Sequence, residues 1–181
     1  VVQKGHDGSV PGNGFSIGGK ASSNEKKVNE IQEKLENGTG SSVSAYTSRQ
    51  KKWVPSNVYY TNWKTAQSLT VNSNGSPVTL SFSTNYKGYD YSHSSTRDHT
   101  AVVIIKARLL RDGKVLATYD LAESRSSGNE DRSTSTETSG TFSIPFMDRP
   151  GSGKPTYRLQ VRLRAGSAMW VSNRGIIAQI N

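Results

Sequence analysis

The sequence predicts a mainly β protein, an antiparallel β-sandwich head of jelly-roll-like form preceded by a short α-helical, coiled-coil-like stalk. Three observations carry that expectation. Beyond Gly38-Thr39-Gly40, apolar residues alternate with Ser, Thr and Asn at a period of two, the mark of half-buried strands. Turn residues divide these runs at hairpin-like spacing, with no helical period between them, which points to a sandwich. Before that boundary, Val28, Ile31 and Leu35 recur at spacings of three and four within a charged segment, the a/d seam of a coiled coil.

The elements follow in order. The leader holds Gly5, Gly8, Gly12, Gly14, Gly18 and Gly19 with few apolar anchors, Phe15 and Ile17 among them, and reads as a linker. Ser22 and Glu25 form a capping box, Glu30 and Lys34 are an i,i+4 pair, and Asn37-Gly38 is a stop signal, so a helix is expected between. Two heptads are too few to associate strongly alone, so the heads or an upstream stalk must hold such helices together. The expected division is residues 1–40 as linker and stalk and 41–181 as head. The start Val1-Val2-Gln3-Lys4 reads as the beginning of a C-terminal piece of a longer chain.

Within the head, residues 41–57 carry Tyr46, Trp53 and Val54, with Pro55 limiting any strand. Leu69 and Val71, the turn Asn74-Gly75, and Val78, Leu80 and Phe82 predict a hairpin. A second hairpin is expected over 101–121, turning at Asp112-Gly113, with Val115, Ala117, Tyr119 and Leu121 on one face. Its first run, Ala101 to Ile105, is apolar on both faces and reads as a central strand covered on both sides or partly by another subunit. Residues 122–140 lack apolar anchors after Ala122 and read as a long exposed loop or frayed edge. Strands resume at Phe142, Ile144 and Phe146. A last hairpin is expected to pair Tyr157, Leu159, Val161 and Leu163 with the run from Met169 to Ile180, which places Trp170 in the core.

Composition narrows the function. The chain has 181 residues and a formal net charge of +9. Residues 1–41 balance five basic against five acidic residues, so the excess lies wholly in the head and points to an anionic partner. No run of five basic residues occurs, so nucleic acid is not an expected partner. No apolar stretch approaches a membrane span, so no membrane insertion is expected. Cysteine is absent, which removes disulfides, thiolate metal sites and cysteine nucleophiles. Serine-nucleophile, P-loop and His-Glu metal motifs are missing too, so no enzyme, cofactor or metal is expected.

Two groups stand out as binding candidates. Residues 85–100 read as a loop gathering Tyr86, Tyr89, Asp90, Tyr91, His93, Arg97 and His99, amphipathic and directional contact residues suited to a receptor. Arg158, Arg162 and Arg164 share one face of a strand, the most concentrated basic patch in the sequence. A further cluster, Trp53, Tyr59, Tyr60 and Trp63 with Lys51, Lys52 and Lys64, reads as packing under the sandwich or between subunits before it reads as a stacking site.

The Gly-rich lead, the heptad segment from Val28 to Leu35, and a terminal all-β domain ending Gly175-Ile176-Ile177-Ala178-Gln179-Ile180-Asn181 resemble the C-terminal receptor-binding region of a bacteriophage tail fibre or central tail-tip protein. The resemblance implies a homotrimer on the virion tail, outside the cell, attaching to a bacterial surface receptor such as lipopolysaccharide or an outer-membrane protein. Two alternatives share the same texture: a carbohydrate-binding or lectin-like module of a secreted bacterial protein, and a structural virion component of the decoration or tail-assembly kind.

Overall fold

The computed structural model describes residues 40–55 and 60–181. The stalk helix with Val28, Ile31 and Leu35, the leader, and Tyr59 lie outside the described residues. Among the described residues there are nine strands: β1 (Ser42–Thr47), β2 (Lys51–Trp53), β3 (Lys64–Thr70), β4 (Val78–Ser92), β5 (His99–Arg111), β6 (Lys114–Gly128), β7 (Thr134–Asp148), β8 (Thr156–Ala165) and β9 (Ala168–Ile180). They form two antiparallel sheets, a five-stranded one ordered β1-β9-β4-β7 with β2 also on β9, and a four-stranded one ordered β3-β8-β5-β6. Because β1 and β2 pair with successive parts of β9, they act as one interrupted edge strand. Counted so, the chain changes sheet at every connection except β5–β6, which is jelly-roll wiring.

This wiring corrects two of the expected hairpins. β3 pairs with β8 whereas β4 pairs with β7 and β9, so residues 71–77 carry the chain from one sheet to the other. Likewise β8 and β9 lie in different sheets although only Gly166 and Ser167 separate them. Gly166 turns that corner at φ 130°, where side chains rarely go. The Ser167 amide then donates to the Tyr89 carbonyl at 2.9 Å, fixing the corner to β4. The β5–β6 hairpin forms as expected, with Asp112 at φ 49° and Gly113 at φ 85° supplying the two positive values its turn requires.

Residues 85–100, expected to be a loop, and 122–140, expected to be a long exposed loop or a frayed edge, are largely strand, the second at the sheet edges. β4 runs through Ser92, so the connection to β5 is only residues 93–98, and β6 and β7 absorb all of 122–140 except 129–133. The register explains the second case. Both strands are sheet edges whose inward Ser and Thr side chains pair with each other, as Ser126 and Thr134 do at 2.8 Å, so order there does not need apolar anchors.

The core lies between the sheets. Leu80 and Phe82 of β4, Val171 and Ile176 of β9, Ile105 and Leu109 of β5, and Leu159 and Leu163 of β8 form one buried cluster. Each such side chain stabilises the fold by about 1.5–3 kcal/mol. On β6 a bulge at Leu116 breaks the expected single face: Leu116 packs on the core and Val115 is 42% exposed.

Polar clamps close the gaps. The buried Tyr157 hydroxyl donates to Asp148 Oδ2 at 2.7 Å, and Arg111 Nη1 donates to both Asp148 oxygens at 2.8 Å, joining β8, β7 and β5. Burial first, then the hydrogen bond to Asp148, raises the Tyr157 pKa far above its ordinary value. A raised folded-state value makes stability level below pH 10.0, the ordinary tyrosine value, and lowers it as pH climbs beyond. Tyr157→Phe is therefore expected to lose about 1.5–3 kcal/mol at neutral pH and to show a shallower fall in Tm between about pH 9 and 11. An equally steep fall in the variant would remove Tyr157 as its source.

Candidate functional site

The outer face of the four-stranded sheet is built by strand parity. On β8, Tyr157, Leu159, Val161 and Leu163 point into the core, so Arg158, Gln160 and Arg162 point outward, with Arg164 at the end of the same row. On β5, Ile105, Ala107 and Leu109 point inward and Lys106 and Arg108 outward. The β5–β8 register sets Lys106 beside Arg162 and Arg108 beside Gln160. Five cations thus share one face, two more than the arginine row read from β8 alone.

Two aromatic rings cover two of these cations, Arg108 and Arg162. Thr61 exchanges hydrogen bonds with Leu163, its amide donating to the Leu163 carbonyl at 2.9 Å and its hydroxyl accepting from the Leu163 amide at 3.1 Å. The segment before β3 is thereby laid along β8, which carries Tyr60 and Trp63 over the outer face. The Arg108 guanidinium lies 4.4 Å from the Trp63 ring centroid, and that of Arg162 lies 5.5 Å from Tyr60 and 5.8 Å from Trp63. Arg108 Nε also donates to Gln160 Oε1 at 2.8 Å, and Gln160 Nε2 donates to Thr65 Oγ1 at 3.2 Å. Stacking orients each guanidinium plane and leaves its N–H edge for a partner.

The face is short of negative charge. Lys106 pairs with Asp120 at 2.7 Å, but among the described residues Arg108, Arg158, Arg162 and Arg164 have no carboxylate within ion-pairing distance. Burial, and then the like charge of Arg162, pulls the Arg108 pKa below its ordinary value. Crowding like charges disfavours the charged forms, and a bound anion relieves that directly.

At the end of the face lies a groove of about 510 Å³ over Ile104, Leu121 and Ala122, bordered by Lys106, Arg164, Asp120 and Glu123. Register slips flank β5 on both sides here. Between Ile104 and Ile105 the β8 partner jumps from Ala165 to Leu163, leaving Arg164 as the extra residue. Between Ile105 and Lys106 the β6 partner jumps from Ala122 to Asp120, leaving Leu121 as the extra residue. Bulges re-aim side chains, and both displaced residues line the groove.

The tyrosine-histidine group does not assemble into one site. Strand parity on β4 sends Tyr86 and Asp90 inward and Tyr89 and Tyr91 outward, on the outer face of the other sheet. Tyr86 Oη crosses the sandwich to donate to the Leu121 carbonyl at 3.1 Å, so it supports the bulge behind the groove. Asp90 is 3% exposed and is a structural clamp: Oδ2 accepts from the Val102 amide at 2.8 Å and Oδ1 from the Ser167 hydroxyl at 2.5 Å. Tyr91 is 50% exposed. His93 and Arg97 are exposed on the connection to β5, while His99, at the start of β5, meets the His93 ring edge-on at 6.2 Å and lies 3.4 Å from the Arg97 carbonyl through Nδ1.

The other aromatic cluster also divides. Trp53 packs on the core from the five-stranded sheet, while Tyr60 and Trp63 cover the opposite sheet. Trp170, expected inside, stands on the outer face between Lys52 and Lys87, whose ammonium groups lie 5.1 and 5.8 Å from its centroid. Its buried neighbours Met169 and Val171 fix that parity. Lys106 and Arg108 were detectable in the same way, as cations alternating with Ile105, Ala107 and Leu109. Nothing local ties Trp63 to Arg108.

No groups of three or more metal-ligating side chains occur among the described residues, and no described helix is long and apolar enough to cross a membrane. No family model matches the chain, and no curated protein matches it. Among solved structures the chain is similar to a chain of the infectious bursal disease virus Gx strain, at 14% identity over 76% of this chain and 30% of that one, with a TM-score of 0.39. It is similar to the infectious bursal disease virus VP2 subviral particle at 14% identity over 76% and 31%, with a TM-score of 0.37. Particles derived from the same virus give 12% identity over 78% and 31%, with a TM-score of 0.37. The chain spans under a third of the length of each of these.

Proposed function

We propose that this chain is a non-catalytic attachment head that binds an anionic surface glycan through the outer face of its four-stranded sheet. In this reading it serves as the receptor-binding region of a phage tail fibre or tail-tip protein, carried on the virion as a homotrimer. The observation that carries the reading is the set of four arginines, Arg108, Arg158, Arg162 and Arg164, without a carboxylate partner among the described residues, two of which, Arg108 and Arg162, lie against Trp63 and Tyr60. Oriented guanidinium edges suit carboxylate and phosphate groups, and a broad sheet face suits a polymer better than a small substrate. The trimer rests on the Val28, Ile31 and Leu35 seam.

The test is retention on an immobilised polyuronate against neutral dextran. The chain is expected to bind the polyuronate, to lose that binding as salt shortens the screening length from about 10 Å at 0.1 M to about 3 Å at 1 M, and to pass through dextran. Equal retention on both, or none on either, would count against an anionic ligand.

A further inference from the structure

We propose that the groove over Ile104, Leu121 and Ala122 is a saccharide subsite that takes one acidic sugar unit, a pyranose bearing a carboxylate or a phosphate. This rests on the reading of the surrounding face as a glycan-binding surface, and it names the unit recognised there. The groove's volume of about 510 Å³ lies within the range of small-molecule sites.

The lining matches the three parts of such a sugar. A pyranose has apolar C–H faces, a rim of hydroxyls and, in this class, one anionic substituent. The outward Ile104 side chain offers an apolar surface for the C–H face, while Leu121, packed against the core, and Ala122, opposite the inward Ile105, close the groove beside it. Asp120, at 80% side-chain exposure, and Glu123 offer carboxylate oxygens that accept from hydroxyls. Charge counting then fixes the substituent. Lys106 is matched by Asp120 at 2.7 Å and Glu123 by Arg125 at 2.6 Å, which among the described residues leaves the Arg164 guanidinium as the unmatched charge at the groove. One anionic group per unit satisfies it, in the bidentate geometry that guanidinium favours.

The backbone is shaped around this place. Arg164 and Leu121 are the extra residues of two bulges facing each other across β5, one supplying the cation and the other breaking the β6 ladder at the groove. The Leu121 carbonyl, removed from the ladder by its bulge, is taken up by the Tyr86 hydroxyl at 3.1 Å from the opposite sheet. Gly140 makes room for that hydroxyl, since a Cβ there would lie 2.6 Å from it.

Calorimetric titration of the full chain with glucuronate, glucose 6-phosphate and glucose tests the assignment. At least one acidic sugar is expected to bind in the millimolar range and glucose at least about tenfold more weakly; whichever acidic sugar binds tells carboxylate from phosphate. Arg164→Gln should erase that preference, and Lys154→Gln, the same change of charge off this face, should keep it. Binding of glucose equal to both acidic sugars, equal losses in the two variants, or no heat from either acidic sugar while the polyuronate is still retained, would overturn the subsite and leave the attachment reading standing. Failure of both acidic sugars and polyuronate would overturn the two together.

Discussion

Gly88→Leu is expected to leave the head without a stable fold. Gly88 lies in the middle of β4 on its inward face, where a Cβ would stand 2.5 Å from Val103 Cγ1 and 2.9 Å from Ile105 Cδ1 of the opposite sheet. Neither neighbour can yield easily, because both are fully buried and β-branched side chains are stiff at χ1. Replacing a strand glycine by alanine would otherwise gain about 0.5–1 kcal/mol of chain entropy. Overpacking costs about 1–3 kcal/mol for modest insertions, so sterics win even for Gly88→Ala. Leucine brings three more heavy atoms into the same contact and should consume most of a typical stability of about 5–15 kcal/mol. Thermal unfolding of the two variants measures this: Gly88→Ala should unfold at a lower Tm, and Gly88→Leu should show no cooperative transition. A Tm for Gly88→Leu near the parent value would mean that the sheets do not meet at this point.

The triple change Arg158→Gln, Arg162→Gln and Arg164→Gln is expected to abolish most polyuronate binding with little effect on folding. The three side chains point away from the core and pair with no carboxylate among the described residues, so their loss orphans no acidic group. Relief of their mutual repulsion offsets the lost stacking of Arg162 on Tyr60 and Trp63. An exposed ion pair contributes up to about 1 kcal/mol, so three removed together weaken Kd by about a hundredfold. Affinity measured at low salt alongside Tm separates the two effects. Unchanged affinity would move the binding site elsewhere, and a collapse in Tm would show that the arginines hold the fold.

What the sequence revealed divides along the range of the interaction. The turn at Asp112-Gly113 is decided by two residues whose chemistry asks for positive φ, and it formed as read. The arginine row on β8 needed only strand parity. Sheet membership needed more: alternation says that one face of β3 or β9 is buried, but not which strand lies alongside, and so β3–β4 and β8–β9 looked like hairpins when they are corners. At β4 the polar stretch from Asn85 to Ser92 hid a strand, because Lys87 and Asp90 find their partners far along the chain, in Glu137, Val102 and Ser167. Read as a loop, the stretch gives its tyrosines no direction, so side chains that point to opposite faces fall into one group. The groove was beyond reach for the same reason, since bulges at Leu121 and Arg164 become visible only when three strands are in register.

Arginine-selective dicarbonyl labelling, read residue by residue with mass spectrometry in the presence and absence of polyuronate, tests the binding face most directly. The polymer is expected to protect Arg108, Arg158, Arg162 and Arg164 while the exposed Arg97 and Arg132 react as before. Protection of Arg97 or Arg132, with the four on the sheet face still reactive, would contradict it.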